Sequence, residues 1–485
     1  MNAIKNFIYN SSYQILLFAV PLITTPYVSR VLLPGTIGRY SYSFTVASYF
    51  VMLVMMGLEN YGNRSVAEVK DDKKILSNIF WSIFSLQLIV GLIVTIAYLC
   101  YCYFFAKDKS VALIFAINVF AAVLNISWFV YGMEQFRVIA IITTVVKVIS
   151  TAAIFLFVKS NNDLIVYCLI MVLSTLISNL LMWIVVVKNI NFVVPKVENI
   201  FVHFKPNVLL FLTVISTTIC KTVDKIMLGI VEPEKIQLGY YEMSERIINI
   251  PVVLVAALGT VMLPRITNMI SNNDDSYKKS ILYSMIFSIF IASSMSFGIM
   301  GVAKEFVPLF YGPGYDVCIG IYLVLLPASI FMAFSNVIRT QYMLPNHMDN
   351  KVVVSGYLGV VVNVCANLLL IPKYGAIGAA IGTVVAETVS CLYQSYSVRG
   401  KLPLRKYVLY SSPFVFVGIL MFVGLYLIDI PIKSIALSLT LKIIFGLIVY
   451  AVLILTYYIL LGRFNSIESN EMHALVKTFF KRRSK

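Results

Sequence analysis

Apolar runs of about 20 residues, the length a helix needs to cross ~30 Å of hydrocarbon at about 1.5 Å per residue, recur fourteen times along the chain. Six lie near residues 7–29, 37–58, 75–103, 111–131, 138–158 and 164–187. After the polar stretch from Lys188 to Pro206 come six more, near 207–230, 240–263, 280–302, 317–342, 352–371 and 376–398. Two further runs, 407–428 and 432–461, precede a tail from Arg463 to Lys485. This pattern predicts an all-α integral membrane protein of about fourteen transmembrane helices. Its expected domains are a six-helix lobe over 1–200, a second over 201–400, and two additional helices with a basic cytoplasmic tail over 401–485.

With six helices per lobe, both lobes enter the membrane in the same sense, so they are expected to be parallel repeats about an axis along the membrane normal. A weak internal repeat at an offset of roughly 200–215 residues fits this. Arg30–Val–Leu–Leu–Pro34 with Gly38–Arg39–Tyr40 resembles Asp224–Lys–Ile–Met–Leu–Gly229 with Gly239–Tyr240–Tyr241. The cleft between two such lobes is the natural substrate path.

Composition agrees, because 60% hydrophobic and 12% charged residues leave too little polar surface for a soluble fold. A net charge of +16 raises the question of nucleic acid, but the cations sit in short connections between apolar runs and build no basic domain. They report topology instead. One alternate set of connections holds 23 Lys and Arg and the other 9, which places both termini in the cytoplasm by the positive-inside rule. The first apolar run, interrupted by Ser11, Ser12 and Gln14, lacks a small-residue cleavage site and is expected to remain as the first helix.

Several chemistries are set aside. Seven scattered cysteines without CxxC spacing and three histidines predict neither a disulfide framework nor a metal site. No GxxxxGK[ST] loop is present, so transport is expected to be ion-driven, substrate-driven or passive. No catalytic residue and no cofactor are expected.

Charged side chains inside the membrane cost at least about 2.5–3.5 kcal/mol near a helix centre, so their positions carry information. Six cations fall within apolar runs: Lys147, Lys221, Lys225, Arg246, Arg339 and Lys442. Four acids, Asp224, Glu242, Glu245 and Glu387, lie near them and are candidates for ion pairing or coupling. Lys221, Asp224 and Lys225 share a helix face by i, i+3 and i+4 spacing, as do Glu242, Glu245 and Arg246 on the next helix. Two readings fit these faces: an ion-pair ladder that satisfies itself, or a wet cationic cavity. In the second, Arg30, Arg39, Lys147, Lys221, Lys225, Arg246 and Arg339 would bind an anionic substrate group.

Other patterns read as structural. Gly378, Gly382 and Ala386 make a small-residue face for close packing, and Asn363 with Asn367 a polar stripe for interhelical hydrogen bonds. Pro21, Pro26, Pro251 and Pro327 are expected to bend apolar helices, and Tyr40, Tyr42, Tyr240, Tyr241, Tyr311 and Tyr315 to form an interface belt.

The segments Gly57 to Arg64 (GLENYGNR), Trp128 to Phe136 (WFVYGMEQF), Gly259 to Arg265 (GTVMLPR), Arg339 to Pro345 (RTQYMLP) and Asn367 to Gly378 (NLLLIPKYGAIG) resemble those of bacterial polysaccharide flippases. These are the Wzx-type members of the multidrug/oligosaccharidyl-lipid/polysaccharide exporter superfamily. The resemblance runs from about residue 5 to 400. It implies two six-helix lobes, alternating access, a bacterial cytoplasmic membrane location, and an undecaprenyl diphosphate-linked oligosaccharide as cargo. Its implied partners are that lipid-linked substrate, membrane lipids and other membrane proteins of polysaccharide assembly, with no nucleic acid. A drug or cation antiporter of the same superfamily is the main alternative, and it would need acids inside the first six helices, where none occurs. A membrane enzyme of polysaccharide assembly would need polar catalytic loops longer than these connections.

The charge bias yields a topology test. Cysteines introduced at Asp72 and Ser484 should resist an impermeant thiol reagent in intact cells, and one at Asp108 should react. Labelling in the opposite sense would invert the orientation.

Overall fold

The computed structural model describes residues 20–428, 432 and 434–463, with the side chains of 212, 213, 216, 217, 220, 221, 458 and 460–463 outside that description. The expected beginning of the first helix and the tail beyond Arg463 lie outside the described residues. The chain is an all-α integral membrane protein. Helix α1 covers 20–31, and α2 (Pro34–Met55), α3 (Leu58–Ala67), α4 (Lys73–Phe104), α5 (Lys109–Val123), α6 (Ser127–Gly132), α7 (Phe136–Phe157) and α8 (Leu164–Asn189) follow. Then come α9 (Val197–Val202), α10 (Phe204–Val231), α11 (Ile236–Ser271), α12 (Tyr277–Gly301) and α13 (Ala303–Tyr311). The remainder is α14 (Val317–Leu325), α15 (Ala328–Ile338), a π-helical turn (Arg339–Met343), α16 (Asp349–Ser397), α17 (Leu404–Leu427) and α18 (Ile435–Arg463).

Among the described residues, 11 stretches are long and apolar enough to cross a membrane. Several contain breaks that apolarity alone did not announce. The expected third span keeps its capped start, with Asp72 accepting from the backbone of Lys74 at 2.9 Å and Ile75 at 3.0 Å. The expected fourth is two pieces, α5 and α6, parted around Asn125. Lipid offers no donor to the carbonyls such a break frees. Side chains supply them: Asn179 donates to Ala121 O, Gln87 to Ala122 O, Val123 O and Asn125 O, and Trp183 to Leu124 O. Gln87 in turn accepts from the buried Trp128 indole at 3.0 Å, within a cluster of Phe80, Phe84, Trp128 and Phe129.

Pro251 lies inside the continuous helix α11 together with Pro264, and Pro327 stands at the start of α15. The change of direction within α16 needs a glycine instead. The expected spans 352–371 and 376–398 are joined in α16, which folds back at Gly375, where φ is 55° and ψ is −128°. Only glycine takes that conformation without strain. The two arms then pack with Gly378 against the carbonyl of Leu370 and Gly382 against the amide of Asn367, as the small-residue face predicts.

The chain forms two compact units. The first comprises Met1–Ile247, Tyr311–Ile321 and Val353–Ala386, and the second Ile248–Phe310, Tyr322–Val352 and Glu387–Lys485. In the first unit, the starts of α2 and α11 approach backbone to backbone. A Cβ on Gly38 would overlap the carbonyl oxygen of Lys235, and one on Gly239 would overlap that of Pro34. The two contacts, Gly38 with Lys235 and Gly239 with Pro34, are reciprocal, since 34 and 235 stand at the same offset as 38 and 239, and they join the segments with the internal repeat. The expected aromatic belt is partly a core feature. Tyr40, Tyr241, Tyr311 and Tyr315 are buried: Tyr40 packs its ring among Phe44, Phe115 and Tyr167, and the hydroxyls of the other three donate to groups inside the protein. Tyr311 donates to Met243 O at 2.8 Å, and Tyr315 to Ser29 O at 3.0 Å.

In the second unit, α12 packs along α17, with Tyr407 donating to Lys278 O at 3.0 Å. Its core joins Val255, Ile266, Met285, Ile289, Val337 and Phe414. Helix α18 is held by Lys442, 1% exposed, whose ammonium donates to Glu305 at 2.6 Å. Its apolar residues left exposed, including Ile444, Leu447 and Leu455, face outward as a lipid-embedded helix requires.

The glycine contacts generate a stability test. Gly38→Ala and Gly239→Ala should each lower membrane abundance and thermal stability, since backbone cannot yield as a side chain does. Gly424→Ala, which meets nothing within 4 Å, should be neutral or gain up to about 1 kcal/mol of helix propensity. Equal abundance of all three variants would contradict the packing.

Candidate functional site

The intramembrane charges separate into engaged and disengaged groups. On α10, Lys225 reaches two carboxylates of α11, Glu242 Oε2 at 2.8 Å and Glu245 Oε2 at 2.6 Å. Arg246, one turn after Glu242, donates through Nε and Nη2 to Glu242 Oε1, at 3.3 Å each, and through Nη1 to Thr25 Oγ1 at 3.2 Å. Ser41 of α2 adds a hydroxyl to Glu242 Oε2 at 2.8 Å. Two cations and two carboxylates thus close on one another within the first unit. The helical spacing that made this face legible also explains why the ladder forms, because Lys225 faces α11 where Glu242 and Glu245 share one side. Ser41 and Thr25 were not identified from sequence. A lone hydroxyl in an apolar run carries no signal of its partner.

Asp224, on the same helix as Lys225, is 3% exposed. Among the described residues its partners are neutral donors: Thr383 at 2.7 Å and Tyr241 at 3.0 Å to Oδ2, and the Asn367 amide to Oδ1. Asn367 also donates to Asn363 Oδ1 at 3.0 Å along the same helix, and its bond to Asp224 of α10 is the one by which the asparagine stripe serves interhelical hydrogen bonding. Asp224 and Lys225, adjacent in sequence, therefore belong to different polar clusters. The side chain of Lys221 lies outside the described residues.

Arg39 is tied to Asp108 at 2.7 Å. The stem of Arg30 packs beside Gly312, 3.0 Å from where a Cβ would stand. Lys442 pairs with Glu305, an acid absent from the sequence census because it is distant in the chain.

Lys147 and Arg339 differ from these. Neither has an acid within 4.0 Å or a side-chain hydrogen bond among the described residues. Lys147 stands midway along α7 in the first unit, half-buried. Arg339 opens the π-helical turn of the second unit, within electrostatic reach of Glu387 on α16. Two residues on, Gln341 is 0% exposed with both amide atoms unpartnered, and Asn336 Oδ1 nearby is also unpartnered. Such π turns interrupt the regular ladder and are frequent at functional positions. A pocket of about 440 Å³, lined by Leu228, Glu232, Gln237, Lys373 and Tyr374 among others, contains none of the predicted site residues. Among the described residues no group of three His, Cys, Asp or Glu is arranged to hold a metal ion.

Comparison with known proteins adds a second line of evidence. The profile of the family described as polysaccharide biosynthesis protein matches residues 3–270. A candidate O-antigen transporter of Escherichia coli (strain K12) is 23% identical over 403 residues, covering 81% of this chain and 94% of that protein. One of Shigella dysenteriae is 24% identical over 394 residues, covering 79% and 96%. Among solved structures, the lipid II flippase MurJ in an inward closed conformation superposes with a TM-score of 0.73 at 15% identity, covering 94% of this chain and 99% of that one. An inward-facing multidrug resistance MATE family transporter of the MOP superfamily gives a TM-score of 0.63 at 15% identity, covering 80% and 94%. At such identity the structural likeness speaks for the fold.

The division of the cations predicts two phenotypes. Lys225→Met strands Glu245 in a buried setting and leaves Glu242 to Arg246 and Ser41; breaking a buried charge pair costs about 3–5 kcal/mol, so membrane abundance should fall severely. Lys442→Met should do the same through Glu305. Lys147→Met strands no acid, and its abundance, measured by quantitative immunoblotting of membranes, should stay near that of the unaltered protein. Equal loss in all three would mean that Lys147 has an essential internal partner.

Proposed function

The chain belongs to the polysaccharide biosynthesis protein family, within the multidrug/oligosaccharidyl-lipid/polysaccharide exporter superfamily, and from this we propose that it is a Wzx-type flippase of lipid-linked oligosaccharides. The cargo is an undecaprenyl diphosphate-linked repeat unit destined for O-antigen, capsule or exopolysaccharide. It moves from the inner to the outer leaflet of a bacterial cytoplasmic membrane by alternating access between lobes 1–200 and 201–400. Both termini face the cytoplasm, and α17 and α18 are additions to the two lobes. Fourteen crossings result if α1, α10 and the second arm of α16 each span the bilayer besides the 11 stretches above. The relatives in hand are described as transporters, which fits a protein that does no covalent chemistry.

The observation that carries this reading is that Lys147 in the first unit and Arg339 in the second each lack an acid within 4.0 Å among the described residues, Arg339 having only the longer-range charge of Glu387. A charge left without a counter-ion in the membrane is costly, and its retention points to an anion that arrives with the substrate. A diphosphate answers that need. Arg339, with a planar guanidinium, suits bidentate contact with phosphate oxygens, whereas Lys147 offers a point charge. Arg30, Arg39, Lys221, Lys225 and Arg246 remain candidates for the same path, with Lys225 and Arg246 acting through release from Glu242 and Glu245. Asp224, Glu242, Glu245 and Glu387 remain candidates for ion pairing or coupling, and the described partners of Asp224 are the neutral donors Thr383, Tyr241 and Asn367.

The test pairs abundance with export. Lys147→Gln and Arg339→Gln should each leave membrane abundance largely intact, reduce surface polysaccharide by about ten-fold or more, and build up lipid-linked intermediates. Arg339→Lys should recover export only in part if bidentate contact matters. Normal export by both Gln variants at normal abundance would refute the cationic path.

A further inference from the structure

The face of the protein that the charge bias assigns to the outside carries only nine Lys and Arg, yet three of them meet at one place in the first unit. Arg39 lies in the second turn of α2 and holds Asp108 at 2.7 Å. Asp108 is the N-cap of α5, accepting from Val111 N, and Lys107 precedes it. Lys235 comes immediately before α11, its carbonyl pressed against Gly38 beside Arg39.

Lys235 is the unusual member. It is 4% exposed, and among the described residues its ammonium makes no hydrogen bond, only a contact 4.8 Å from the centroid of the Tyr42 ring. A single aromatic face is weak compensation for burying three N–H donors. Burial first, then the charge of Lys107, holds the ammonium below its ordinary pKa, with Arg39 adding to this and Asp108 and Glu232 opposing. Glu232 is already accepting from Gln237 N at 2.6 Å. Asp108 is held by Arg39, and among the described residues neither Lys107 nor Lys235 has a carboxylate within 4.0 Å. The starts of three helices, α2, α5 and α11, bring their positive ends to the same place.

We propose that Arg39, Lys107 and Lys235 form a second anion site, which takes the phosphate groups of a lipid diphosphate at the outer side. An anion here gives Lys235 the hydrogen bonds it lacks and relieves the mutual repulsion of the three cations. Arg39 can swing its remaining N–H groups to the anion while Nε stays on Asp108. The identity of the ligand rests on the flippase reading; the existence of an anion site does not. A site at this position receives the diphosphate as it leaves the intramembrane cations, so that the highly charged group passes between sites of like chemistry.

The experiment uses the full chain in phosphatidylcholine nanodiscs, with inorganic pyrophosphate as the probe and calorimetric titration as the readout. In a Lys147→Met, Arg339→Met background, pyrophosphate binding should persist. Adding Lys107→Gln and Lys235→Met should weaken it by about ten-fold or more, while Lys235→Arg should retain it. Lys107 is exposed, so Lys107→Gln alone keeps the test valid if Lys235→Met fails to yield folded protein. Unchanged affinity in Lys107→Gln and in folded Lys235→Met would overturn the site. Discs containing phosphatidylglycerol separate the two sources of phosphate. Undiminished pyrophosphate binding there supports the diphosphate, and displacement by phosphatidylglycerol would overturn that assignment. If the flippase reading alone is wrong, pyrophosphate binding survives while transport is absent.

Discussion

A hydrocarbon surrounding supplies no water to any buried polar group, so each must find its partner within the protein or in what the protein binds. That constraint organises the chain at every scale. It decides that the backbone is helical, that the break between α5 and α6 is met by Gln87, Asn179 and Trp183, and that Lys225 and Arg246 close onto Glu242 and Glu245. It also gives meaning to the exceptions. Lys147 and Arg339 draw notice because no ion pair or side-chain hydrogen bond holds either of them among the described residues.

The same constraint links local geometry to transport. Helix ends are the only backbone positions with free donors and acceptors, and the chain places its polar clusters there or on facing helix stripes. The reciprocal approach of Gly38 to Lys235 and of Gly239 to Pro34 brings two helix starts to van der Waals contact. Ser41 and Glu242, one turn farther along, then hydrogen-bond across the same pair of helices. A close backbone seam and a satisfied ion-pair ladder thus lie along one contact between α2 and α11. Motion at that seam would expose the ladder, turning Lys225 and Arg246 from structural groups into candidate ligands. The tightness of the seam and the availability of those charges are therefore coupled quantities.

Much of this was legible in the sequence, and the reason is periodicity. Apolar runs located the helices, and i, i+4 spacing placed Glu242, Glu245 and Arg246 on one face. The small-residue face of α16 and the asparagine pair foretold packing and hydrogen bonding. What stayed hidden depends on residues remote in the chain. Lys442 finds Glu305 across 137 positions, and Asp224 finds Asn367 and Thr383 rather than its neighbouring lysine. Tyr311 and Tyr315 looked like belt residues because they flank an apolar run, yet both turn inward to backbone carbonyls. Sequence spacing reports which residues share a helix face, and packing alone decides what that face meets.

The most direct measurement is transbilayer movement in proteoliposomes holding the purified chain and a fluorescent undecaprenyl diphosphate oligosaccharide, read by an impermeant quencher. Incorporation of the protein should make the inner-leaflet pool quenchable far faster than in protein-free liposomes, and neutralising Lys147 and Arg339 together should abolish the gain. An inner-leaflet pool that stays as protected as in protein-free liposomes would contradict the assignment as a flippase.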